Sequence, residues 1–273
     1  YEEGRYFDSH GDPVIVEVAG KKLGITICED IWNDPEDWTK PRYDSNPVSL
    51  AAKKGAEVIV NISASPFTLS KQKTRRGFMR NAAVRHGVSF LVCNLAGAND
   101  DLIFDGFSTV VSPEGDVLCE AEPFVESMIE AGMAATDGPA NVPEIEPMEL
   151  VRRALVCGVR DYFRKTGFER ALVALSGGID SAVVAVIAAQ ALEPENVEAV
   201  SLPSRFSSDH SRTDAEVLAL ILGVSYRTSP IEEMFEGALD AVEPHFAGGG
   251  SPKIAVENLQ SRLRGAVMMT LSN

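Results

Sequence analysis

Two stretches of the 273-residue chain hold side chains whose type and spacing suit chemistry. In ALVALSGGIDSAVVAVIAAQAL an apolar run reaches Leu175, a tight turn uses Ser176, Gly177 and Gly178, and a helical pattern follows from about Asp180. Adjacent glycines let the backbone bend sharply and bring its amides against a ligand with no Cβ in the way. A helix that starts there points its unpaired N–H groups and the positive end of its dipole at the same spot. Such a turn suits phosphate, with the Ser176 and Ser181 hydroxyls as further donors. Asp180 would repel a bare phosphate, so its presence implies a Mg²⁺ ion between carboxylate and phosphate. The plainer alternative is a Ser-Gly-Gly turn in which Asp180 caps a helix. The GK[ST] ending of a Walker loop and the GxGxxG fingerprint are both missing.

The second stretch is KKLGITICEDIW, where a strand pattern delivers Cys28 to its end beside Glu29, Asp30 and Trp32. A nucleophilic thiol needs a base and a polar, partly exposed setting. No neighbouring segment supplies a histidine, so spacing alone leaves Cys28 open between a reactive thiol and a small buried residue. Cys93 and Cys119, inside apolar strand patterns, and Cys157, inside a helical one, read as core.

The elements that must position these residues are legible from periodicity. PVIVEV, KKLGITI, AEVIVNISAS and VSFLVCNLAG read as strands, KQKTRRGFMRNAAVRHG as a helix, and FSTVVSPEGDVLCEA as a hairpin. The Pro- and acid-rich ATDGPANVPEIEP lacks apolar periodicity and reads as a linker. Pro147 opens a helix with Leu150, Val151, Ala154, Leu155, Val159 and Tyr162 at helical spacing. Then strand and helix alternate through ALVAL, DSAVVAVIAAQAL, VEAVSL, DHSRTDAEVLALILG and SYRTSPI, which suits a parallel sheet with both faces covered. AGGGSP (247–252) reads as a mobile loop. The expected organisation is an α/β domain over 1–133, a linker over 134–147, and a doubly wound parallel-sheet domain over 148–273. The net charge of −15 argues against a nucleic-acid-coating protein. No apolar run reaches the length of a membrane span, and four scattered cysteines fit a reduced, cytoplasmic compartment. The opening YEEGRYFDSHGD and the closing helical pattern predict an interior segment of a longer protein.

Three segments carry a resemblance. SGGIDS resembles the SGGxDS loop of the N-type ATP pyrophosphatases, SLPSRFSSDHSRTDA resembles the PSRYSSDHS segment of NAD synthetases, and KIAVENLQSRLRGAVMMTLSN resembles their ENxQxRxRG helix. GITICEDIW resembles the Cys-Glu-Asp-x-Trp segment of nitrilase-like amidases, and NISASPF and NLAGANDDLIFDG resemble later segments of the same fold, with Asn99 and Asp101 as shortened counterparts of the usual Gln and Glu. Together they resemble glutamine-dependent NAD synthetases. The resemblance implies the C-terminal half of a nitrilase-like α-β-β-α sandwich followed by the nucleotide domain. It implies Cys28 as nucleophile, Glu29, Trp32, Ser65 and Lys71 around glutamine, and Ala174, Leu175, Ser176, Gly177, Gly178, Ile179, Asp180 and Ser181 around ATP, with Mg²⁺ on Asp180. Asn258 and Arg262 are implied as contacts of nicotinic acid adenine dinucleotide, and Arg205, Asp209 and Arg212 as further substrate contacts or surface charges. The partnering Glu and Lys of the thiol are implied upstream of Tyr1, so the span alone is expected to have little glutaminase activity. A homo-oligomer is implied as well. The competing expectation is an amidase with a nucleotide-binding regulatory module.

Overall fold

The computed structural model describes residues 5–8, 11–34, 36–37, 45–132, 140, 142, 144–246 and 253–273. The 247–252 loop lies outside these residues, as does most of the 134–147 linker. The chain divides into two compact units, Tyr1–Gly158 and Val159–Asn273.

In the first unit β1 (Val14–Val18), β2 (Lys21–Ile27), α1 (Pro47–Lys53), β3 (Val58–Ser63), α2 (Lys71–His86), β4 (Ser89–Asn94), β5 (Ala96–Asn99), β6 (Leu102–Asp105), β7 (Thr109–Val111) and β8 (Val117–Glu120) follow in order. Six of the strands form one sheet in the order β1-β2-β3-β4-β7-β8. β2, β3 and β4 are mutually parallel, with Ile27 opposite Ile62 and Ser63 opposite Asn94, and the outer pairs are antiparallel. The helix starts have local causes. Asn46 accepts the Ser49 N–H and Pro47 occupies the first turn of α1. At the far end of α2, Gly87 takes the left-handed φ of 63° that closes a helix.

One face of this sheet is covered. Ile59, Phe90, Val92 and Val111 pack against Val48 and Ala51 of α1 and Met79, Ala82 and Ala83 of α2. The approach of α1 depends on Gly24, where a Cβ would stand 2.8 Å from the Cβ of Ala51 and 3.0 Å from Cδ1 of Ile59. On the opposite face Val14, Val16, Val18, Ile27 and Ile62 are exposed. Cys93, expected in the core, is exposed on that same face, because strand alternation places it beside Ile62 and away from α2. Cys157 is buried, as expected, whereas Cys119, also expected in the core, is only half-buried on β8.

α3 (Pro147–Thr166) carries the division between the units. Its buried positions are Ala154 and Cys157, packed with Phe124, Phe67, Ile103 and Leu150, together with the buried Asp161. Leu155 and Tyr162, expected on the inner stripe, are exposed. The stripe 150, 154, 157, 161 follows helical spacing more closely than the one read from the apolar residues.

The second unit runs β9 (Ala171–Ala174), α4 (Ile179–Leu192), β10 (Val197–Ser201), α5 (Asp209–Leu222), β11 (Ser225–Thr228), α6 (Glu232–Val242) and α7 (Lys253–Ser272). Its strands form a parallel sheet in the order β11-β10-β9. Val173, Leu175, Val197 and Ala199 face Ala185, Ala188 and Ala189 of α4 and Ala215 and Ala219 of α5. Val200, Leu202, Ile231 and Leu172 meet Val267, Met268 and Leu271 of α7. Helices on both faces make this the doubly wound arrangement that the alternating pattern predicts. Among the described residues no helix is long and apolar enough to cross a membrane.

Because α1 rests on the bare backbone of β2, Gly24→Val should lower the stability of the first unit by about 1–3 kcal/mol. The check is the urea midpoint of the chain against the parent.

Candidate active sites

In the first unit the parallel strands β2, β3 and β4 end at one edge, and the segments leaving them hold Cys28, Ser65 and Asn94. Cys28 opens a 3₁₀ turn, Cys28–Trp32, with a positive φ of 43° that residues with a Cβ seldom adopt. It is half-exposed. The elbow is braced from both sides. The Ile27 N–H donates to the Asp30 carboxylate at 2.8 Å, and the fully buried Asn61 donates from Nδ2 to Thr26 Oγ1 at 3.1 Å and to the Cys28 carbonyl at 3.4 Å. Backbone strain held in place by its surroundings is a mark of functional positions.

Glu29 sits in the same turn. Trp32 makes an edge-to-face contact with Phe78 at 5.1 Å, and the Lys71 ammonium lies 5.8 Å from the Trp32 ring. Lys71, the first residue of α2, donates to the Pro66 carbonyl at 3.1 Å. Ser65 is buried, and its N–H donates to Asn94 Oδ1 at 2.9 Å. The elbow, Trp32, Lys71 and Ser65 are thus joined by a short chain of contacts. Beneath them lies a fully buried ion pair, Arg75 with Asp105, at 3.1 Å. Burial pushes the Asp105 carboxyl up, against the pull of the Arg75 charge beside it. Asn99 and Asp101 flank the tip of the β5–β6 hairpin, at the opposite end of its two strands from Asp105.

In the second unit β9 runs into Ser176, and Gly178 is the N-cap of α4, so the helix begins at Ile179 and Asp180 lies in its first turn, exposed. The cap position is therefore glycine and not Asp180. Ser176 and Ser181 tie the turn together: their hydroxyls are 3.0 Å apart, the Ser176 N–H donates to Ser181 Oγ at 3.2 Å, and the Gly178 N–H donates to Ser176 Oγ at 3.2 Å. Gly177 has φ 82°, and a Cβ there would lie 2.1 Å from the Ser211 carbonyl oxygen. The first turn of α5 consequently packs onto the bare loop, so two helix N-termini converge on one place. Between them is a cavity of about 170 Å³ lined by Ala174, Leu175, Ser176, Ser207, Ser211, Arg212 and Arg264, among others. It opens beyond the carboxyl ends of β9 and β10, where open α/β sheets bind ligands.

The remaining expected residues divide. Arg212 lines the cavity and reaches the Ser204 carbonyl at 3.5 Å. Arg205 instead pairs with Glu232 and Glu236 of α6 and stacks over Phe235 at 5.9 Å. Asp209 sits exposed in the first turn of α5. Asn258 and Arg262 lie one turn apart on α7, both exposed and neither among the cavity-lining residues. Sequence reasoning passed over Arg264, which donates to the Leu202 carbonyl at 3.0 Å, and Gln260, buried and bonded to Ser204 Oγ at 2.9 Å. Their signal was the four-residue spacing within QSRLR, which turns both toward the sheet. Asn61, Asn94 and Asp105 carry a signal of their own, each being polar in an otherwise apolar strand pattern, whereas the buried Arg75 lies in a helix rich in charge and carries none.

The two candidate sites are thus a thiol on a positive-φ elbow at a strand end and a glycine turn opening a helix beyond a parallel sheet. Residues 1–137 match the model of the carbon-nitrogen hydrolase family, to which the chain belongs, and residues 151–273 match that of NAD synthase. The glutamine-dependent NAD(+) synthetase of Synechocystis is 39% identical over 279 residues, covering 100% of this chain and 50% of the relative. That of Thermotoga maritima is 36% identical over 309 residues, covering 100% and 52%. The structure of glutamine-dependent NAD+ synthetase from Acinetobacter baumannii, in complex with ADP, superposes with a TM-score of 0.87 at 30% identity, over 99% of this chain and 50% of that one. With both modules in this order, the chain is a member of the glutamine-dependent NAD(+) synthetases. It spans about half the length of the curated relatives it matches.

Gly177→Ala should cost about 2–4 kcal/mol, from the left-handed φ and the collision with Ser211. Gly178→Ala should cost under about 1 kcal/mol, since its φ is ordinary and only Ser176 Oγ lies close. Urea denaturation of the two variants checks the contrast.

Proposed function

We propose that the whole protein amidates nicotinic acid adenine dinucleotide to NAD at the expense of ATP, with nitrogen taken from glutamine. On this reading residues 1–133 belong to the glutaminase, 148–273 to the ATP-using domain, and 134–147 connect them. The observation that carries it is the cavity beyond β9 and β10, lined by Ser176 of the turn before α4, by Ser211 and Arg212 of the first turn of α5, and by Arg264. Amide hydrolysis alone has no use for such a cradle.

In the first unit the Cys28 sulfur attacks the carboxamide carbon of glutamine, and collapse of the adduct gives a thioester and ammonia. Water then releases glutamate. The braced elbow holds the sulfur clear of its own strand, Glu29 and Trp32 wall the pocket, and Ser65 and Lys71 hold the substrate. In the second unit the nicotinate carboxylate attacks the α-phosphorus of ATP and expels pyrophosphate. The adenylated carbonyl then accepts ammonia and releases AMP. Adenylation is needed because a carboxylate repels nucleophiles and has no leaving group. Backbone amides and hydroxyls from Ala174 to Ser181, with Arg212 and Arg264, stabilise charge that develops at phosphorus. Asn258 and Arg262 extend the dinucleotide contact along α7.

Among the described residues no group of three or more metal-ligating side chains is present. Asp180 alone, exposed in the first turn of α4, fits the sparse donor set Mg²⁺ accepts when nucleotide oxygens supply the rest. The ion would neutralise charge on the triphosphate there.

Full-length protein given nicotinic acid adenine dinucleotide, ATP and Mg²⁺ should form NAD and AMP with either glutamine or ammonium. Cys28→Ala should keep the ammonium-driven rate and lose the glutamine-driven rate by about 10³-fold or more. Absence of NAD from both nitrogen sources would overturn the proposal.

A further inference from the structure

The start of α2 runs against its own sequence. Its N-cap, Ser70, makes no side-chain bond to the first turn, and no acid lies in that turn. Lys71, Lys73, Arg75 and Arg76 instead crowd the end where the helix dipole disfavours cations. Left to itself such a helix frays from its first residue. That residue is Lys71, whose ammonium is held at the Pro66 carbonyl at 3.1 Å and lies 5.8 Å from the Trp32 ring. The Lys73–Glu144 pair nearby joins two exposed side chains and adds little.

The missing acid comes from another strand. Glu120, the last residue of β8, has a side chain only 3% exposed. Its two oxygens accept Gln72 Nε2 at 3.2 and 3.1 Å, Arg76 Nε at 3.2 Å, and Arg76 Nη2. Thr109 Oγ1, opposite Glu120 on β7, stands 3.1 Å away. Gln72 and Arg76 are four residues apart and share one side of the helix, so a single carboxylate spans its first two turns. The Arg76 half of this staple fastens the second turn, to which Arg75 with Asp105 also belongs. The Gln72 half fastens the first turn, one residue from Lys71.

We infer that Gln72 and Glu120 are positioning residues for glutamine: the bond between them keeps the first turn of α2 wound and so keeps the Lys71 ammonium beside Pro66 and Trp32. This rests on the reading above that glutamine sits against Lys71. Gln72→Ala deletes the bond but leaves the Arg76–Glu120 pair in place, and alanine is the strongest helix former, so intrinsic helix propensity does not fall. Lys71 then hangs from an unfastened turn.

The test uses full-length protein, measuring KM for glutamine and the ammonium-driven rate of NAD formation in Gln72→Ala, Lys71→Met and the double variant. Gln72→Ala should raise the glutamine KM by about five- to tenfold and leave the ammonium-driven rate within about twofold of the parent. In a Lys71→Met background the same exchange should change KM by less than about twofold, because both substitutions act through one ammonium. Glu120→Gln should stay within about threefold of the parent, since its amide keeps an oxygen for Arg76 and offers an NH₂ to the oxygen of a rotated Gln72. An unchanged KM in Gln72→Ala, or an additive rise in the double variant, would overturn the inference and leave the reading of the glutamine site standing. An unchanged KM in Lys71→Met would overturn that reading and the inference with it.

Discussion

Parallel pairing makes every strand of a sheet release its chain at the same edge, and both candidate sites are built from that release. In the first unit β2, β3 and β4 let go of Cys28, Ser65 and Asn94 side by side. In the second, β9 and β10 open on the 170 Å³ cavity. The antiparallel strands widen the first sheet, and the segment entering β7 reaches the same edge, where Ser108 Oγ accepts the Asn94 N–H at 3.1 Å. Segments far apart in sequence need no special device to meet, because direction alone gathers them.

What such an edge lacks is rigidity, and here the two units differ. The first holds its loops with buried polar groups: Asn61 under the Cys28 elbow, Asn94 under Ser65, and Arg75 with Asp105 beneath both. The second uses backbone crowding. Gly177 lets the Ser211 turn come within reach of the loop, and Ser204 with Gln260 anchors α7 to the next segment.

The strands and helices of both units were readable because their apolar residues repeat with the period of the element. Where periodicity is weak, reading failed. α1 is seven residues long and β5 is built from Ala, Gly and Asn, so neither stands out, whereas α6 goes unread although its apolar residues keep helical spacing. The apolar neighbours of Cys93 point to the core, yet the face it occupies is exposed. The glycine turn and the Cys28 segment were legible as local strings. The Arg75–Asn94–Asp105 cluster was not, since its members are 11 to 30 residues apart and a polar residue next to a strand looks like surface until the fold buries it.

The exposed row of Val14, Val16 and Val18, continued by Ile27 and Ile62, lies on the outermost strand and its neighbours. Contiguous aliphatic surface on an edge strand favours association with any other apolar surface. The net charge of −15 opposes that by mutual repulsion between copies. Salt weakens repulsion and leaves the hydrophobic attraction intact. Added electrolyte should therefore weaken the repulsion between copies while leaving the attraction of the β1 face in place.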